Sequence, residues 1–276
     1  TGSLVALSCG VLGVFLILRK MAMVGDAISH SVLPGIIIAY LVTSSSASVP
    51  MLLGAAVTGV LATLLIELFH QKGKLQTDAS IGLTFTWLFA IGVILASRFT
   101  RDMHIDVDCI LYGEILFSPQ NRWWLNGVDL GPRNVWILGT VLALVLGFIG
   151  LGYKGLKLTT FDNNFAASIG VSTTFWHYAL MSLVSLTTVA SFDAVGAILV
   201  VSFLVVPGAT AYLLTDDLRR MLLLAAVFGI ASAIGGYYLA LWLDSSIAGA
   251  MTVVTGLFFF LTLLLSPRYG LLRLRH

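Results

Sequence analysis

Long apolar runs fill most of this 276-residue chain and leave little room for a charged surface. A helix needs about 20 apolar residues to cross a bilayer. Only 10% of the residues are charged, against about a quarter in a soluble domain, so the composition excludes an ordinary globular enzyme and a disordered chain. The sequence predicts an all-α polytopic membrane protein with eight or nine transmembrane helices, in one domain over 1–276. The apolar segments are 2–18, 24–43, 50–69, 79–97, 134–153, 174–191, 194–214, 221–243 and 247–265.

The apolar run 174–214 decides the topology. As one helix it would be about 60 Å long, twice the hydrocarbon thickness, so we split it at Asp193 into two antiparallel spans. A re-entrant half-span is the alternative. The split places Lys and Arg 11 to 4 on the two sides, whereas a single crossing gives 6 to 9. By the positive-inside rule the N-terminus is predicted outside and the C-terminus in the cytoplasm.

Asp26 and His30 are ionisable residues inside the segment 24–43. They are four residues apart, so they share one face of a helix, at depths of about 9 Å and 15 Å from Lys20. Ionisable groups at such depths are costly and indicate function. A carboxylate and an imidazole form half of a site for a borderline divalent cation, or they handle protons or merely join helices. Pro34 cannot donate to the His30 carbonyl and predicts a kink, which makes it a candidate gate residue as well.

Two single residues and one outer segment have less specific patterns. Asp193 is interpreted as a gate or cation-entry residue, with an interfacial helix cap as the alternative. Pro207, followed by Gly208, predicts a kink and packing device that is also a candidate gating hinge. The outer segment 98–133 is either a solvated loop face or a place that receives a metal from a delivery protein. Its candidate ligands are His104, Asp106, Asp108, Cys109 and Glu114.

The inner loop 154–173 contains a predicted short helix. Asp162 suits its N-cap, and Gly170 suits its C-terminal stop. The helix is too short to span a membrane, so it is either a surface anchor or a ridge that docks into a partner's groove. Its apolar residues recur at helical spacing: Phe165, Ala166 and Ile169.

Motifs for catalysis are absent from the sequence. Gly73-Lys74 and Gly155 lack the frame of a phosphate-binding loop, so the chain cannot hydrolyse ATP by that route. No Gly-x-Ser-x-Gly or His-Glu-x-x-His motif occurs. The net charge of +2 gives no basis for nucleic-acid binding, and the two cysteines do not indicate a disulfide framework.

Four stretches, in family order, resemble the transmembrane subunit of the ATP-binding-cassette importers for manganese, zinc and iron. The most specific is 18–35, which contains Gly25-Asp26-Ala27-Ile28-Ser29-His30. The others are the outer 111–116, the inner Asp162…Ala166…Gly170 pattern, and 195–211 with its Pro-Gly pair. The outer segment 118–133 is longer than the family's pattern.

The resemblance implies a permease in a prokaryotic plasma membrane, with two copies forming the pathway. A dimer of cytoplasmic ATPase subunits hydrolyses ATP, so this chain is a transport subunit and not an enzyme. An extracytoplasmic protein delivers the metal, which is substrate and not a resident cofactor. Asp26 and His30 are implied to coordinate the ion, and the coupling helix docks through Asp162, Ala166 and Gly170.

Two other functions fit the composition. A permease for a metal chelate or vitamin would use Asp26 and His30 only to join helices. A stand-alone secondary carrier would have no need of a docking helix between Asp162 and Gly170.

Overall fold

The computed structural model describes residues 1–43, 48–99, 115, 122–125 and 128–266. Most of the described residues lie in helices, as predicted. Its elements, in chain order, are α1 (Gly2–Leu18), α2 (Val24–Ser31), α3 (Leu33–Thr43), α4 (Ser48–Gln71), α5 (Thr77–Phe99), β1 (Arg122–Leu125), β2 (Val128–Pro132), α6 (Arg133–Phe161), α7 (Asn163–Ser168), α8 (Thr173–Val195), α9 (Ala197–Leu214), α10 (Leu218–Leu243) and α11 (Ile247–Leu265).

Eight helical segments in the described part of the chain are long and apolar enough to cross a membrane. The helices α2 and α3 count together as one of them, Val24–Thr43, and α1 is a shorter apolar helix of 17 residues. All nine apolar segments of the sequence lie in helices. The predicted all-α, multi-span architecture is therefore confirmed.

The helices group into two compact units. The first contains α1, the β1–β2 hairpin, α6, α9, α10 and α11. The second contains α2 to α5, α7, and α8 as far as Ala190. Each unit brings together elements that are distant in sequence, so neither is a continuous half of the chain.

Glycines let α1 and α9 pack closely in the first unit. A Cβ on Gly13 would collide with the carbonyl of Leu204, and a Cβ on Gly208 would lie 3.1 Å from the backbone nitrogen of Val14. The helix α9 continues through Pro207, which is buried beside Gly208. The close approach at Gly208 supports the interpretation of Pro207-Gly208 as a packing device, whereas the predicted kink and the role as a gating hinge stay predictions.

The second unit uses the same device between α3 and α4. A Cβ on Gly35 would collide with the carbonyl of Gly54, so the two backbones are in direct contact. Small residues permit such close approach where helices cannot rely on hydrophobic association. The close contact fixes the α2–α3 segment against α4.

The prediction of an inner loop over 154–173 is wrong in its first half, because α6 continues as a helix to Phe161. No proline interrupts this stretch, and Leu156 is fully buried. The Arg19 guanidinium donates to Thr159 Oγ1 at 3.0 Å and to Thr160 Oγ1 at 3.2 Å. These hydrogen bonds join the last turns of α6 to the residue that follows α1.

The run 174–214 does divide into two helices, but the division falls at Gly196 and not at Asp193. Gly196 has φ +81°, a conformation that glycine adopts without strain. Asp193 lies in the last turn of α8, so its interpretation as a helix N-cap is wrong. The helices α8 and α9 each contain a segment long enough to span, which argues against a half-span there.

The strands β1 and β2 form an antiparallel hairpin that the sequence analysis did not predict. Trp124 pairs with Asp129, and Leu125 pairs with Val128. Aromatic and branched residues such as these favour extended structure. The hairpin lies within the segment 98–133 between α5 and α6.

Candidate metal centre

Asp26 and His30 lie one turn apart on α2, as the four-residue spacing predicts. His30 Nε2 is 3.6 Å from Asp26 Oδ1, which is longer than a hydrogen bond. The His30 side chain is 43% exposed and the Asp26 side chain is 37% exposed. Both side chains are therefore accessible to a ligand, and they are not hydrogen-bonded to each other.

The predicted interruption after His30 is present. The helix α2 ends at Ser31, and α3 begins at Leu33 with Pro34 in its first turn. A proline is accommodated there because the first N–H groups of a helix have no intrahelical acceptor. Since Pro34 has no N–H, it leaves the His30 carbonyl without its usual helical donor.

Two aromatic rings of α5 lie beside His30. Its ring centroid is 6.0 Å from that of Phe85 and 5.9 Å from that of Phe89. These rings limit the access of water to the imidazole and hold it on the side of α2 that faces α5. The site is thus a polar pair set against an apolar wall.

A cavity of about 310 Å³ opens beside Asp26, and a second carboxylate lines it. Asp78, in the first turn of α5, is that second carboxylate. The other lining residues are mostly apolar: Met23, Ala27, Ile81, Gly82 and Phe85. Asp78 was not predicted from the sequence, because nothing in its spacing shows that α5 packs on α2.

A second carboxylate–imidazole pair joins α4 to α8, and the sequence analysis missed it too. His177 Nε2 is 2.8 Å from Glu67 Oε2, and the Glu67 side chain is only 9% exposed. Gln71 donates to the other carboxylate oxygen. Both partners lie inside predicted apolar segments, so a search for intramembrane ionisable residues would have found them.

The described residues contain no group of three or more His, Cys, Asp or Glu side chains that could hold a metal ion. Asp26 and His30 are thus two candidate ligands and not a complete metal site within the described residues. The outer candidates His104, Asp106, Asp108, Cys109 and Glu114 lie outside the described residues.

The short helix α7 has the two ends that the sequence predicts. Asp162 Oδ1 accepts from the Phe165 N–H at 2.9 Å, which is an N-cap. At the other end Gly170 has φ +82° and donates to the Ala167 carbonyl, while Val171 donates to that of Ala166. This pair of bonds is the Schellman motif, which requires a left-handed residue at the position of Gly170.

The apolar residues of α7 divide between two faces. Ala166 is fully buried, whereas Phe165 and Ile169 are 51% and 52% exposed. Residues four apart lie on one side of a helix, so Phe165 and Ile169 place an apolar ridge at the surface.

The chain has several apolar helices, an acid–imidazole pair within one of them, and the short capped helix α7 between α6 and α8. This combination is that of a multi-span membrane transport protein. The comparison with known proteins specifies the class further. The model of the ABC 3 transport family matches residues 1–266, and the chain belongs to that family.

Relatives with established names cover nearly the whole chain. It is 50% identical to the manganese transport system membrane protein MntD of Bacillus subtilis (strain 168), over 99% of this chain and 92% of that protein. It is 40% identical to the zinc transport system membrane protein TroD of Treponema pallidum (strain Nichols), over 98% of this chain and 73% of that protein.

A solved structure has the same fold. PsaBC from Streptococcus pneumoniae, in complex with Fab, superimposes with a TM-score of 0.80 at 30% identity, over 100% of this chain and 92% of that chain. The predicted family resemblance is confirmed. The protein is a multi-pass permease subunit of an ABC-type transporter in a bacterial plasma membrane.

Proposed function

We propose that this permease imports a divalent transition metal ion (manganese, zinc or iron) through a pathway that two copies of the chain form. A dimer of cytoplasmic ATPase subunits drives transport, and an extracytoplasmic metal-binding protein delivers the ion. The observation that carries the proposal is the loosely paired, half-exposed Asp26–His30 couple beside a cavity. Manganese is the first ion to test, because the relative at 50% identity is named for manganese.

In this mechanism the entering ion exchanges its water for protein ligands. Asp26 and His30 from each copy supply two carboxylates and two imidazoles, which suit a borderline divalent ion. Their 3.6 Å separation leaves the pair without a strong internal hydrogen bond that an ion would have to break. Four ligands are few enough for the ion to leave again, as transport requires.

The ion then leaves through the cavity that Asp26 shares with Asp78. A second carboxylate in an otherwise apolar space offers the cation a next position at low cost. Access to the outer side is assigned to Asp193 as a gate residue and to Pro207 as a hinge.

Coupling to ATP hydrolysis is assigned to α7. Its exposed ridge of Phe165 and Ile169 supplies the apolar anchors by which a helix docks into a groove. Asp162 and Gly170 fix both ends of the helix, and buried Ala166 fixes its inner face. This docking requires α7 on the cytoplasmic side, in agreement with the positive-inside prediction.

The test is uptake of manganese, zinc and iron by cells that contain the chain with its ATPase and binding protein. The wild type is compared with the double variant Asp26→Ala, His30→Ala at equal membrane abundance. His70→Ala is the control, since His70 is an exposed imidazole that lies outside the pair. We expect ATP-dependent uptake of at least one metal, lost in the double variant and retained in the control.

Three results would contradict the proposal in different ways. Unchanged uptake in the double variant would place the ion site elsewhere. Uptake that follows a proton gradient without ATP would indicate a secondary carrier. A wild type that moves no bare ion, but does move a chelate or vitamin, would indicate the bulkier cargo.

A further inference from the structure

The buried Glu67–His177 pair fastens α8 to α4. Both oxygens of the Glu67 carboxylate have donors, His177 Nε2 at 2.8 Å and the amide of Gln71. A buried pair satisfied in this way has no open position for a cation. Separating it would leave a carboxylate unpaired in an apolar environment, which is costly, so the two helices resist sliding past each other.

A second contact between the same helices lies farther along them. A Cβ on Gly59 would collide with Ser185 Oγ, so α4 and α8 are in close contact there as well. Gly59 precedes Glu67 by as many residues as Ser185 follows His177, so the two helices run antiparallel. The two contacts are about 12 Å apart along each helix, so together they set the direction in which α8 runs along α4.

His177 lies close to the coupling helix in the chain. Residues 169–172 alone separate α7 from α8, and His177 lies in the second turn of α8. The last turn of α7 is held by the Schellman bonds, in which Gly170 donates to the Ala167 carbonyl and Val171 to the Ala166 carbonyl. A displacement of α7 therefore reaches the start of α8 through a short connection whose first residues are fixed.

Helix α4 carries the connection to the metal pair. It contacts α2 and α3, and the Thr58 hydroxyl lies 3.5 Å from the carbonyl of Val32, directly after α2. The backbones of Gly35 and Gly54 are also in contact, so no side chains separate α3 from α4 at this point. All of these residues belong to the second unit.

We propose that the Glu67–His177 pair is the joint through which movement of the coupling helix α7 reaches the α2–α3 segment that carries Asp26 and His30. The two residues are positioning residues that do not touch the ion. The inference rests on the proposed function, since it assigns a route for the coupling assumed there.

The test uses the whole importer, with its ATPase and binding protein, in proteoliposomes. The variant Glu67→Leu, His177→Leu replaces the buried pair by apolar side chains, an exchange that buried ion pairs tolerate without loss of stability. The variant Cys9→Ala, Ser191→Ala is the matched control, since it removes a buried polar contact of 3.8 Å in the first unit. Manganese transported per ATP hydrolysed is measured, together with ATPase co-purification and equilibrium manganese binding.

We expect the leucine pair to lower the number of ions transported per ATP at least tenfold, with ATPase co-purification and manganese binding unchanged. The control should keep the wild-type ratio. The exchanged pair Glu67→His, His177→Glu restores the ion pair in reverse and should recover most of the ratio.

A leucine pair with a wild-type ratio would overturn the joint and leave Glu67 and His177 as ordinary packing. Should the leucine pair reduce membrane abundance, the exchanged pair decides, because a ratio that stays low in it also overturns the joint. Absence of ATP-driven metal uptake in the wild type would overturn the proposed function together with the joint. Wild-type uptake combined with an unchanged ratio in the leucine pair would overturn the joint alone.

Discussion

The variant Gly170→Ala tests whether the left-handed backbone conformation at the end of α7, the proposed coupling helix, is needed for docking. A Cβ at position 170 meets nothing within 4 Å, so the substitution causes no collision. Its whole effect comes from φ +82°, a left-handed conformation that costs a residue with a Cβ about 1–2 kcal/mol. The strain is relieved when the Schellman end unwinds, and docking on the ATPase must then supply that energy.

A cost of this size corresponds to a factor of about 5–30 in an equilibrium constant. We therefore expect the ATPase to bind the variant permease about 5–30-fold more weakly, as measured by titrating ATPase against permease in nanodiscs. The variant Gly150→Ala is the matched control, since Gly150 also has open space around it but lies inside α6. Gly170→Asn should lie between the two, because asparagine tolerates the left-handed region better than alanine.

Equal ATPase affinity for wild type and Gly170→Ala would refute this reasoning, because it would mean that the left-handed end is not needed for docking. A loss of equal size in Gly150→Ala would refute it as well, since that loss could not come from the conformation at residue 170.

Two further predictions concern the ion path and the docking ridge. Asp78→Asn should raise the KM for metal severalfold at unchanged membrane abundance, whereas an unaltered KM would place Asp78 outside the path. Phe165→Ser should reduce ATPase co-purification without lowering the temperature of unfolding, because the ring is 51% exposed, whereas Ala166→Leu should lower that temperature, since Ala166 is fully buried.

The features that the sequence predicted correctly depend on short spacings. Asp26 and His30 share a face because four residues make about one helical turn. Asp162 and Gly170 act as caps because capping depends on the side chain and backbone of one residue at a helix end. Such local rules operate before any packing is known.

The features that the sequence did not predict depend on packing. The position of Asp78 beside Asp26 follows from the way α5 lies on α2, and the length of α6 follows from burial of Leu156. The run 174–214 was predicted to divide at Asp193 because that residue is charged. The helix boundary lies three residues later, at Gly196, because Gly196 adopts a positive φ.

Two carboxylate–imidazole pairs occur in the described helices, and their environments are opposite. Glu67 and His177 are 2.8 Å apart in a buried setting, so each satisfies the other and an ion would have to replace a strong contact. Asp26 and His30 are 3.6 Å apart and more than a third exposed, and Asp26 lines a cavity, so an ion gains ligands there without breaking such a contact. Residue type alone would rank the two pairs equally. The geometry separates them, because a transport site must exchange its ligand, whereas a joint between helices must not.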